Sequence, residues 1–273
     1  MPPFAPAATV TGPGRTPLPF GAFSVLTLRE NSNDVWINGV QWETLTCEPA
    51  GVISDFNCDV EEVLGLPRSL DKLAAPYAQA SAFSVYGHYQ CSAVGRMGMQ
   101  TYASEQAREH LALREEAAVE TAAEALIRSG GALLAGPTTP WQLIAALEQY
   151  HAEQTGSQGI LWVSRRLATL LGDDGDLSER GGQLRTTLRT PVIAATGVAD
   201  NFIGITSNPV AYRGQVEDYS NRPYNLMDRG QNNILAIAER DYLIGFEDCG
   251  LAYAEATLPA VTVTPPSTNP PAE

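Results

Sequence analysis

Residues 87–91, Gly-His-Tyr-Gln-Cys, set His88 three positions ahead of Cys91. An imidazole so near a thiol has two chemistries open to it. With Cys47 and Cys58 the pair could complete a tetrahedral zinc site, or the imidazole could activate Cys91 as a nucleophile. Structural zinc sites favour paired short spacings such as Cys-x2-Cys, whereas Cys47 and Cys58 stand eleven apart. A thiol nucleophile needs a base oriented by a third group, and no spacing here supplies one. The pentapeptide therefore reads as the end of a strand in which Phe83, Val85 and Gly87 alternate with Ser84, Tyr86 and His88.

Asp173, Asp174 and Asp176 in GDDGD invite a calcium loop, but the glycine comes too early and Leu184 stands where a bidentate glutamate is required. GDDGDLSERGGQ reads instead as a solvated loop with no apolar anchor beyond Leu177. The Gly-Pro-Gly near the start lacks the flanking strand and helix of a nucleotide fingerprint. Neither a Gly-Lys-Ser phosphate loop nor a Gly-x-Ser-x-Gly elbow occurs. Lys72 is the single lysine, so lysine chemistry has one position open to it. No catalytic, cofactor-binding or metal-binding residue is assigned, and no cofactor is expected.

The elements that would carry these residues are legible from periodicity. SEQAREHLALREEAAVETAAEALI predicts a long helix over Ser104 to Ile127, with Ser104 as N-cap and Gly130 closing the end in a left-handed conformation. Ala107, Leu111, Ala118, Ala122 and Leu126 keep to one face, with Glu115 and Arg108 at its edge. Glu105 can pair with Arg108 and Glu124 with Arg128, whereas Glu116, Glu120 and Glu124 stack at i,i+4 and repel one another. That acidic row reads as a solvated face with room for arginines from another chain.

TTPWQLIAALEQYH predicts a second helix with Thr139 as cap, Pro140 at its first position and Gln142 completing a capping box. SRRLATLL gives a third, and short helices are open at VEEVLGL and SLDKLAAPYAQA. FSVLTL, GILWVS, TPVIAAT, FIGIT and PVAYRG read as strands, and NNILAIAERDYLIGFEDCGLAYAEATL as two strand-like runs around Glu239 to Asp241. Asn38-Gly39 predicts a tight hairpin carrying Trp36 and Trp42. Residues 1–20 and 259–273 are rich in proline and read as extended arms. The order is α+β, not a doubly wound sheet.

Composition narrows the function classes. At 273 residues and 44% hydrophobic the chain can bury a core as one or two domains. A formal charge of −14 and a pI near 4.6 oppose tight wrapping around nucleic acid. Cys47, Cys58, Cys91 and Cys249 are scattered behind no signal segment, so reduced cytoplasmic thiols are expected. No stretch approaches the roughly 18–20 apolar residues of a membrane span.

The order of these elements resembles the major capsid proteins of tailed actinobacterial phages, of the fold shared with encapsulins. The resemblance runs from about residue 20 to 258, and AIAERDYLIGFEDC is its most specific part. It implies an N-terminal arm (1–22), an extended-loop hairpin region (23–98), and a peripheral domain (99–136 and 206–258) with its spine helix at 104–127. An axial domain (137–205) and a proline-rich tail (259–273) complete the division. It further implies a non-enzymatic shell subunit that assembles with itself into hexamers and pentamers around double-stranded DNA, without sequence-specific contact. A separate scaffolding protein, a portal and a decoration protein are the other implied partners. Assembly would take place in the host bacterial cytoplasm, and the finished protein would reside in the virion capsid. The lone Lys72 argues against the lysine–asparagine crosslinking of some family members. The alternatives carried forward are an encapsulin-type compartment shell and a soluble thiol- or metal-dependent enzyme.

Overall fold

A 32-residue helix, α2 (Met99–Gly130), organises the chain, which is seen here as a computed structural model describing residues 16–30, 34–44, 47, 77–92, 99–136, 139–218, 227–228 and 233–258. The expectations for Cys58, Lys72, the VEEVLGL segment, residues 1–15 and the tail 259–273 fall outside the described residues. α2 starts five residues before Ser104, which is a buried residue inside the helix and not its cap. The helix also runs through Gly130, whose φ is not positive.

Ala103, Ala107, Leu111, Val119, Ala123 and Ile127 are buried at four-residue steps and face the sheet beneath. The expected stripe at Ala118, Ala122 and Leu126 lies one position off, and Leu126 is exposed. The fourth position of the true row is Glu115. Its charge makes the apolar row look displaced when only hydrophobic residues are followed.

α2 crosses a six-stranded sheet built on β14 (Asn233–Gly245) and β4 (Ala82–Ser92), which pair antiparallel from Leu243 opposite Ala82 to Asn233 opposite Ser92. On the other edge of β14 lie β11 (Val210–Arg213), which carries β1 (Arg29–Glu30) in parallel, and the short β12 (Glu217–Asp218) and β13 (Met227–Asp228). β14 runs unbroken through Glu239 to Asp241, where two runs were expected. Asp241 accepts a hydrogen bond from the Ser84 hydroxyl on β4. The break falls instead between Phe246 and Leu251. Gly87 of β4 lies flush under α2, where a Cβ would come 2.6 Å from the carbonyl oxygen of Ala107. Gly87→Ala is therefore expected to cost about 1–3 kcal/mol by overpacking, read by urea denaturation of the isolated subunit.

A seven-stranded sheet forms the second layer. Its strands run in the order β5 (Ala132–Leu133), β15 (Ala252–Glu255), β10 (Phe202–Thr206), β6 (Ile160–Ser164), β9 (Pro191–Ala195), β8 (Gln183–Thr186) and β7 (Leu177–Arg180). β6 and β10 are buried along their whole length. α3 (Pro140–Thr155) and α4 (Arg165–Asp173) pack against this sheet through Leu143, Leu147, Leu167 and Leu171. α4 carries a side-chain cap, the Ser164 hydroxyl accepting from the Leu167 amide at 3.1 Å. α3 does not. Thr139 meets the Gln142 side chain at 2.5 Å and caps no backbone amide.

The segment expected as a solvated loop, GDDGDLSERGGQ, contains the β7–β8 hairpin. Gly181 and Gly182 sit at φ 62° and 77°, the positive φ at both positions that a two-residue hairpin turn demands, and Leu177 is buried. Asn38-Gly39 behaves otherwise. Gly39 has φ 101° but Asn38 does not have positive φ, and residues 34–38 form a 3-10 turn that buries Trp36 against Tyr212 at 5.7 Å. The strand after it, β2 (Val40–Glu43), pairs antiparallel with β3 (Tyr77–Ala80), within a segment expected to be helical. The FSVLTL strand is likewise replaced by a single helical turn, α1 (Ala22–Val25), leading to β1. Among the described residues no helix is long and apolar enough to cross a membrane.

Candidate functional site on the long helix

His88 and Cys91 lie three residues apart in an extended strand, and odd spacings point to opposite faces. His88 is exposed, its ring 5.6 Å from that of His110, while Cys91 is half-buried against the core under α2. The two therefore do not form a pair. Cys47 is bonded to Cys249, 202 residues away, which corrects the expectation of reduced thiols, and Cys91 is free. Among the described residues no group of three or more histidine, cysteine, aspartate or glutamate side chains is arranged to hold a metal. Asp173 ends α4, and Asp174 and Asp176 lead into β7.

The polar side chains that the fold does bring together are the carboxylates of α2. Glu115 is 7% exposed and bridges Arg213 at 2.8 Å and Arg240 at 2.9 and 2.8 Å, while the Tyr242 hydroxyl donates to it at 2.8 Å. Burial, and then the Glu115 charge, push the Tyr242 phenol up, so it keeps its proton as a donor. Phe23 and Phe83 flank the Tyr242 ring at 5.9 and 6.1 Å and seal the cluster. This centre joins α2 to β11 and β14.

The neighbouring row, Glu116, Glu120 and Glu124, was expected to face solvent or a second chain. It binds backbone amides of this chain instead. Glu120, 1% exposed, accepts from the amides of Ala22 at 3.1 Å, Thr196 at 2.7 Å and Gly197 at 2.9 Å, and from the Thr196 hydroxyl at 3.2 Å. Glu116 accepts from the Phe23 amide at 2.8 Å. Glu124 accepts from the Ala199 amide at 2.8 Å and pairs with Arg128 at 2.7 Å as expected. Arg108 turns away from Glu105 and pairs with Asp218 at 3.1 Å. Amide donors oppose the mutual repulsion of the row, because each carboxylate accepts a charge-assisted hydrogen bond from the backbone. Gly197 packs so close to α2 that a Cβ would overlap the Ala117 carbonyl. The Thr121 hydroxyl donates to the Gly197 oxygen at 2.6 Å.

Burial raises the Glu116 carboxyl above the usual glutamate range, and the Phe23 amide lowers it by less. Glu120 and Glu115 add to the rise, and Arg165 opposes it. A carboxyl raised on folding binds its proton more tightly in the native state. Its contribution is thus complete below the ordinary value of about 4.3 and is lost as pH rises through the raised one. Glu116→Gln should flatten that part of the profile: melting scans from acid to neutral pH should show wild type losing ground to the variant as pH rises.

This arrangement is a mechanical junction. One face of α2 ties together the segment at Ala22–Phe23, the six-stranded sheet through Glu115, and the β9–β10 loop of the seven-stranded sheet. Several solved chains are similar to this one along its length. One, from Mycobacterium phage Che8, is 13% identical, with 93% of this chain and 97% of that one covered at a TM-score of 0.53. A chain from the capsid of the native GTA particle is 9% identical, with 94% and 95% covered at 0.53. The tailed-phage capsid fold is the fold of this chain. A chain from Gordonia phage Cozz, 11% identical with 94% and 92% covered at 0.51, shares it. At these identities the likeness is one of fold, and no protein-family model and no curated protein matches the chain. The expected α+β architecture with a long spine helix is thus the observed one. The junction on its carboxylates is what the sequence reading missed.

Proposed function

We propose that this chain is the major capsid protein of a double-stranded DNA tailed phage, with a structural and not a catalytic role. The observation that carries the reading is the match in fold to a capsid chain over 94% of this chain and 95% of that one. In this reading α2 is the spine of the peripheral domain, and the six-stranded sheet is its platform. The β2–β3 hairpin is the base of the extended loop, and α3, α4 and the strands of the seven-stranded sheet within 137–205 are the axial domain, its β7–β8 hairpin lying toward the capsomer axis.

The physical properties of the chain support that role. A subunit that passes load between neighbours needs its sheets fixed to one member, and the Glu115 and Glu120 contacts do this. Rings of five and six arise from heterologous contacts that close. A net charge of −14 keeps packaged duplex from adhering to the wall. A scaffolding protein, a portal and a decoration protein are the partners such a shell calls for, with assembly in the host cytoplasm and residence in the virion capsid.

Light scattering of the purified chain tests the reading. Self-assembly into megadalton particles is expected from the 29.2 kDa subunit. DNA inside particles recovered from infected cells supports the phage assignment, and an enzyme cargo in its place contradicts it.

A further inference from the structure

We propose that the Cys47–Cys249 disulfide is a redox latch that closes after the chain leaves a reducing compartment and then pins the β2–β3 hairpin to the body of the subunit. The two halves of the bond differ in how they are held. Cys249 lies in the turn after β14, anchored just beyond it by two hydrogen bonds. The neighbouring Gly250 oxygen accepts from Nδ1 of the buried His151 at 2.9 Å, and the Leu251 oxygen accepts from the Ala132 amide at 3.0 Å. Cys47 lies four residues past the end of β2 and is exposed.

The hairpin itself has few other attachments. β2 and β3 form a two-stranded sheet of their own, and a two-stranded hairpin alone is marginal in water. The Trp42 ring and Ala80 rest on Gly245, where no side chain intervenes. A cleft of about 760 Å³ then opens between Gln79–Phe83, the Ala122–Gly130 end of α2 and Ile244–Phe246. The hairpin base thus packs on β14 at Gly245 and is open toward the end of α2, and the covalent bond supplies a further fixed point. That bond closes a span of 202 residues, the long-loop case in which a crosslink restricts the unfolded chain most.

Closure is an oxidation. The two thiols give up two electrons and two protons to dissolved dioxygen, the sulfur–sulfur bond forms, and hydrogen peroxide leaves. Cytoplasmic thiols stay reduced, so a subunit folding there carries the latch open. An open latch leaves the hairpin free to settle against its surroundings before it is fixed. The timing relative to assembly rests on the shell reading above, whereas the latch itself is a property of the single chain.

Thiol mapping by mass spectrometry tests it. Lysis directly into iodoacetamide should label Cys47, Cys249 and Cys91. After exposure to air a Cys47–Cys249 linked peptide should replace the first two labels, with Cys91 still labelled. On adding dithiothreitol, the air-oxidised protein should lose about 10 °C in Tm. A Cys47→Ser/Cys249→Ser double variant should be insensitive to the reductant, and Cys91→Ser should respond like wild type. Free Cys47 and Cys249 after air exposure, a link from either to Cys58, or equal reductant sensitivity in the double variant would overturn the proposal. A link already complete at lysis would overturn its timing. Failure to form particles would sink the shell reading and leave these measurements intact, while unlinked cysteines in intact shells would sink the latch alone.

Discussion

Glu115→Ala is expected to lower the stability of the subunit by about 3–5 kcal/mol, because it strands two guanidinium groups in a partly dehydrated site. Arg213 and Arg240 have side chains 24% and 16% exposed, and both direct their charge at the same carboxylate. Tyr242 loses its acceptor as well. The loss should appear in urea denaturation of the isolated subunit as a lower midpoint with an unchanged slope. A second variant separates charge from packing. Replacing Glu115, Arg213 and Arg240 together with leucine and methionine should recover most of the loss, since apolar substitution of a whole buried ionic cluster is often neutral. A single variant within about 1 kcal/mol of wild type would contradict the assigned role, being far below the cost of breaking such a cluster.

Glu120→Ala should be the second most damaging change and should act locally. It leaves the amides of Ala22, Thr196 and Gly197 without their acceptor, the first buried and the other two part-buried, and a buried donor that loses its partner costs about 1–3 kcal/mol. Native-state hydrogen exchange gives the more diagnostic readout. Those three amides should lose protection together, while amides in β4 and β14 keep theirs. Glu120→Gln should be milder, because its oxygen still accepts while its NH2 group faces a donor it cannot satisfy. A uniform loss of protection across the molecule would mean that the carboxylate supports global stability without specifically holding these segments.

These two carboxylates also mark where the sequence stopped being readable. The long helix, α3 and α4 follow from periodicity, and β6, β9 and β10 from short apolar runs, because such signals are local. The partner of β2 was not local: its pairing residues begin at Tyr77, and no turn chemistry near Asn38-Gly39 points so far along the chain. Gly181-Gly182 did carry a local signal, and reading the acidic residues around it as a solvated loop hid the hairpin. Glutamate on a helix looks the same in sequence whether water, a guanidinium or a set of backbone amides receives it. The acidic row therefore read as surface until the segments at Ala22–Phe23 and Thr196–Ala199 were seen lying on it. The His88 and Cys91 question was answerable earlier, since three residues of extended chain already place the two on opposite faces.

The shell proposal holds that this chain builds a closed shell in which α2 ties the segment at Ala22–Phe23 and both sheets into one load-bearing unit. Electron cryomicroscopy of particles assembled from the purified chain tests it most directly. The predicted result is an icosahedral shell of pentamers and hexamers. The seven-stranded sheet and the β7–β8 hairpin should surround each capsomer axis, and the β2–β3 hairpin should reach over a neighbouring subunit. A chain that remains monomeric or dimeric under every assembly condition, or particles whose capsomer axes are lined by the six-stranded sheet, would contradict it.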